Sequence, residues 1–95
     1  MTVEELAFIC NKSTKCCNDY VTYVINNQVW QFDLTEKHIA HRDGTHTYYG
    51  AYLMTEKDVV YDDDLKDYRI EGSGTKYTLL IDDKRNIISM KKARA

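Results

Sequence analysis

All three histidines of the chain, His38, His41 and His46, fall within the stretch "HIAHRDGTH". Imidazole titrates near neutrality, so two facing rings can act as general acid and general base on a phosphodiester. Neutral imidazole is also a zinc ligand. If Asp43-Gly44 forms a two-residue type I′ turn, as this dipeptide favours, His41 faces His46 with Cβ atoms roughly 4.5–5.5 Å apart. His38 then falls opposite Tyr49, on the other side of the sheet. Alternatively, Thr35 caps a short helix over 36–42 that Gly44 ends, with His38 and His41 on one helical face. Neither arrangement gathers all three.

Each chemistry lacks a component. Zinc needs three or four ligands, and Cys10, Cys16 and Cys17 have none of the paired short spacings of zinc sites. Phosphodiester chemistry needs a phosphate cradle, and no glycine-rich P-loop pattern occurs. Cys16 or Cys17 beside a histidine would make a nucleophile pair, but a free cysteine more often behaves as a small buried apolar residue. The reading for 37–52 is therefore a turn flanked by solvated imidazoles, with no metal and no cofactor.

The second chemically loaded stretch is "DVVYDDDLKDYRIE", residues 58–71. As a calcium EF-hand loop starting at Asp62 it fails, because Asp67 stands where glycine is needed and Ser73 where a bidentate glutamate is needed. Its acids crowd the same part of the chain as tyrosines, whose rings offer area and whose hydroxyls offer a polar handle at interfaces. A partner-binding surface of Tyr48, Tyr49, Tyr52, Tyr61, Asp62, Asp63, Asp64, Asp67 and Tyr68 is expected, suited to a basic groove on another protein. After Gly72 the balance reverses, with Lys76, Lys84, Arg85, Lys91, Lys92 and Arg94 against Asp82 and Asp83. Tyrosines can also stack on bases, but that needs interleaved cations, and here they cluster at the far end.

These residues must be held by a small core. The best-marked element is "YVTYVINNQVWQFDL", residues 20–34, two alternating runs around Asn26-Asn27. Pairing Ile25 with Gln28 sets Tyr23 opposite Trp30 and Val21 opposite Phe32, with Leu34 extending the row. One face is then dry, with Val24, Val29 and Tyr20 outside it. Further strands are expected near 45–54, 57–64, 68–71, 76–82 and 87–92, with Asn86 the left-handed residue of the last turn. Thr2 and Glu5 match a capping box for a short helix near 3–11, although a strand fits there almost as well. The expected fold is α+β and mostly β: a small antiparallel sheet, or a partly open SH3- or OB-like barrel, of about six strands with one short N-terminal helix.

Ninety-five residues make one domain, and 43% apolar with 12% aromatic residues excludes wholesale disorder. A net charge of −2 gives no general attraction to nucleic acid or anionic membrane. No apolar run approaches the ~20 residues of a membrane span, no secretory signal is visible, and an odd cysteine count fits a cytoplasmic location. The expected function is a non-enzymatic binding protein of the small inhibitor, immunity or adaptor kind, with a homodimer as a companion expectation. The runner-up is a nucleic-acid or small-ligand binding module, in the latter case with the ligand held between subunits.

Overall fold

A computed structural model describes residues 1–14 and 19–93. The chain opens with helix α1 (Val3–Thr14), where the Thr2 hydroxyl accepts the Glu5 amide N–H at 3.1 Å. That bond satisfies one of the first-turn donors that a helix cannot pair internally. Strands β1 (Tyr20–Ile25) and β2 (Gln28–Asp33) follow, joined through Asn26 and Asn27 at φ 53° and 59°. Two left-handed residues in succession are what a type I′ turn demands. The register is the expected one, with Ile25 on Gln28, Tyr23 on Trp30 and Val21 on Phe32.

The remaining strands are β3 (His38–Ala40), β4 (His46–Met54), β5 (Val59–Asp62), β6 (Asp67–Ile70), β7 (Thr75–Ile81) and β8 (Ile87–Lys92). Six of the eight strands form one antiparallel sheet in the order β1-β2-β4-β7-β8, with β3 also paired to β4. The first half of β4 pairs with β3 and the second half with β2. The segment 36–42 is thus not a helix. The sheet is open rather than a closed barrel. β5 and β6 form a separate two-stranded arm.

The sheet buries side chains on both sides. On one, α1 lays Leu6, Ile9 and Cys10 over Val29, Met54 and Val59. On the other, Trp30, Phe32, Ile25, Ala51, Leu79 and Ile81 form a second cluster. Val29 is therefore core, not an exception to it, whereas Leu34 ends up in the turn after β2 and is 58% exposed. Trp30 is fully buried. Arg85, from the β7–β8 turn, lies over the Tyr23 ring of β1 at 4.5 Å, so the two ends of the strand order meet across the second face. Arg85, not Asn86, is the left-handed residue of that turn, at φ 63°.

β4 carries a bulge between Tyr48 and Ala51, where Tyr49 and Gly50 oppose the single Thr78 of β7. In a regular strand, residues three apart face opposite sides. Here Tyr48 and Ala51 both pack on the Trp30 cluster. Gly50 permits this, since a Cβ there would sit 2.6 Å from Cβ of Glu36 and 3.0 Å from Cβ of Asp33. The molecule measures 48 × 24 × 23 Å. β4, about 30 Å long at the usual strand rise, separates an end that carries the β5–β6 arm from an end that carries the β3–β4 and β7–β8 turns.

Candidate functional site

The β5–β6 arm sets Tyr61 directly opposite Tyr68. Both share a face with Val59 and Ile70, which pack beneath α1. The apolar row therefore begins in the core and continues outward past the end of its cover. Tyr61 (53% exposed) and Tyr68 (39%) meet edge to face at 5.3 Å. Tyr68 and Phe8, which is 68% exposed, line an open apolar cleft of about 360 Å³ with Ile9, Glu4 and Glu5. Leu65, 65% exposed, caps the arm's tip. This is an exposed aromatic patch with carboxylates at its rim.

The acids of the arm divide into two kinds. Asp62 Oδ1 accepts the backbone N–H groups of Asp64 (2.9 Å) and Leu65 (3.2 Å), and Oδ2 pairs with Arg69 Nε at 3.0 Å. These bonds, the one from Leu65 foremost, hold its carboxyl below the usual carboxylate range. Asp67 is ion-paired to Lys12 of α1 and accepts the Tyr68 N–H, and its carboxyl is likewise held low. Asp62 and Asp67 build the arm. Asp63 and Asp64 are exposed, and their carboxylates engage nothing among the described residues.

The nine residues expected to make one partner surface are thus split. Tyr61, Tyr68, Asp63 and Asp64 are presented together. Tyr49 is at the bulge, with the Lys37 ammonium 5.7 Å from its ring. Tyr52 lies on the α1 side of the sheet, in a smaller cleft with Tyr20, Gln31 and Ile70. Tyr48 is half-buried on the opposite side, stacked on Phe32. Phe8, Glu4 and Glu5 were absent from the expected surface. The available signal was helical: Val3, Leu6, Ile9 and Cys10 make an inward stripe, and Phe8 falls outside it.

At the far end the histidines pair differently from expectation. In the β3–β4 connection only Gly44 has positive φ (90°), whereas a type I′ turn would require it of Asp43 too. The loop is instead closed by His41 N–H to the Thr45 carbonyl (2.8 Å) and Gly44 N–H to the His41 carbonyl (3.2 Å). The register moves by one residue, so His38 lies opposite Tyr48 and Ala40 opposite His46. His38 and His46 now share a face, with Nε2 of the former 3.0 Å from Nδ1 of the latter. His41 is on the other side, at 2.7 Å from the Thr47 hydroxyl. A one-residue slip exchanges faces, and here it exchanges which imidazoles meet.

No family model, curated protein or solved structure matches the chain. Among the described residues, no group of three or more His, Cys, Asp or Glu is placed to hold a metal. No helix is long and apolar enough to cross a membrane. Cys10 is free and fully buried; burial first, then Asp58, pushes its thiol up to about 11. It is therefore a packing residue at neutral pH, not a nucleophile. Cys16, Cys17 and Arg94 lie outside the described residues.

Proposed function

We propose that this chain is a non-enzymatic binding protein that presents the β5–β6 arm and the outer side of α1 to a protein partner with a basic surface. The carrying observation is the outward continuation of the core: Phe8, Tyr61, Leu65 and Tyr68 are large, exposed and gathered at one end of the molecule. Interfaces combine such aromatic anchors with a polar rim, and here Glu4, Glu5, Asp63 and Asp64 supply the rim. The anchors supply affinity and the acids steer the encounter. A free buried thiol at Cys10 is in keeping with a reducing, cytoplasmic setting. The outer edge of β8 pairs with no described strand and carries exposed Ile88 and Met90, which favours a homodimer formed along that edge.

The partner is identified by affinity capture from the organism that encodes the chain. Binding is then measured against the purified partner. Tyr61→Ser is expected to weaken affinity at least tenfold through faster dissociation, while Asp63→Lys with Asp64→Lys slows association at low salt. Unchanged affinity in both variants overturns the reading.

A further inference from the structure

The opposite end of the molecule carries a second arrangement that the protein-binding reading does not use. Phe32, Tyr48 and His38 form a column of near-parallel rings. Phe32 to Tyr48 is 4.2 Å at 7°, and Tyr48 to His38 is 4.2 Å at 5°. The column is rooted in the core at Phe32 and reaches solvent at His38. His46 is 5.2 Å from His38 and 6.3 Å from Tyr48. Those separations put it beside His38, level with it above Tyr48. With 25° between the planes and a 3.0 Å edge-to-edge contact, the two imidazoles form one broad platform. That contact needs a proton on one nitrogen and a lone pair on the other, so at least one ring is neutral.

Three cations, Arg42, Lys84 and Arg85, stand in the two turns at this end of the molecule, with Asp83 among them. Arg85 lies over Tyr23 and, among the described residues, has no carboxylate partner. It is close enough to Tyr48 for its charge to oppose the rise that burial imposes on that phenol. Arg42 and Lys84 are exposed in the two neighbouring turns, which approach each other where Gly44 meets Asp83. The carboxylates of Asp43 and Asp82 are turned onto the donors of their own turns. Asp43 Oδ1 accepts the Thr45 N–H and hydroxyl (3.0 and 2.6 Å), and Asp82 Oδ1 accepts the Lys84 and Asn86 N–H groups (2.9 and 2.8 Å).

We propose that the His38–His46 platform is a second binding site, for a nucleobase that carries phosphate: the base adds the next layer to the Phe32–Tyr48–His38 column and Arg85 meets the phosphate. Stacking suits it because every base has a π face, and a platform two rings wide matches a fused or single heterocycle. The free guanidinium supplies a charge-assisted, bidentate contact to phosphate oxygens. A free nucleotide and single-stranded nucleic acid present the same chemistry.

The test is a titration of the intact chain with adenosine monophosphate, ribose 5-phosphate and a short single-stranded oligonucleotide, followed by amide and imidazole NMR shifts. The nucleotide is expected to shift His38, His46 and Tyr48, and the sugar phosphate to bind at least tenfold more weakly. His38→Ala should lower nucleotide affinity about tenfold and His38→Tyr should restore it, because a ring returns to the top of the column. Arg85→Gln should weaken the nucleotide and reduce the salt dependence of binding. A tighter oligonucleotide identifies single strands as the source, and equal affinities identify the free nucleotide. Equal binding of nucleotide and sugar phosphate, or no shift with millimolar nucleotide, overturns the site. Shifts confined to the β5–β6 arm also overturn it, and the protein-partner reading is unaffected by either result.

Discussion

The two ends of this molecule use the same materials to opposite effect. Each is a short hairpin with a cross-strand pair of rings, Tyr61 on Tyr68 in the β5–β6 arm and His38 on Tyr48 in β3–β4. In the arm the rings meet at 84° and lie beyond the cover of α1. In β3–β4 they are parallel within 5° and continue a stack that begins at buried Phe32. The difference comes from what lies beneath. β3 is joined to the main sheet through β4, so its rings inherit the core's packing, whereas β5 and β6 pair only with each other.

That contrast can be broken most forcefully at its foundation. Phe32→Ala should cost about 3–5 kcal/mol by urea denaturation and release the His38–His46 contact, read from imidazole NMR, while the arm keeps its Tyr61–Tyr68 contact. A smaller loss is expected from Gly50→Ala, about 1–3 kcal/mol, since its Cβ would meet Glu36 and Asp33 at the bulge that turns Tyr48 inward.

Acidity separates the ends by a still smaller effect. Burial first, and then His46, lowers the His38 pKa, so the fold favours its neutral form. Its contribution is complete above the unfolded value of about 6.5 and is lost as pH falls through the lower folded value. The carboxyls of Asp43, Asp62, Asp67 and Asp82 are held low by their hydrogen bonds. Their contribution is present above about 3.9 and lost as pH falls through their folded values. Urea midpoints against pH should therefore decline in two stages. His38→Gln should remove the upper stage, and Asp62→Asn should shrink the lower one. The least change in stability, within about 0.5 kcal/mol, is expected for Phe8→Ser, whose side chain is mostly solvated; a larger loss would mean that the patch supports the fold rather than a partner.

Local pattern was enough for the β1–β2 hairpin. Asn26-Asn27 supplies two residues that accept positive φ, and a two-residue turn leaves one register compatible with a dry Trp30 and Phe32. The capping box at Thr2 and Glu5 and a mostly β, antiparallel sheet of about six strands were legible for the same reason, each following from neighbours in the chain; whether that sheet stays open or closes into a barrel was not. The histidine pair was not, because its face depends on how the loop through Asp43 and Gly44 closes and on the register that closure sets. The type I′ reading, which needed positive φ there, put His41 rather than His38 beside His46. The bulge at Tyr49 and Gly50 was equally hidden, since it answers to Thr78 on a strand far along the chain.

Composition alone established that tyrosines and carboxylates crowd residues 48–68. Only the tertiary structure decided that Tyr48 and Tyr52 go to opposite sides of the sheet, that Asp62 and Asp67 hold the arm together, and that Phe8 joins the exposed rings. Alternation assigns a side chain to a face relative to its own strand. Whether that face is dry, stacked or open is set by which distant element covers it, and pairings that close long loops leave no mark in any short window of residues.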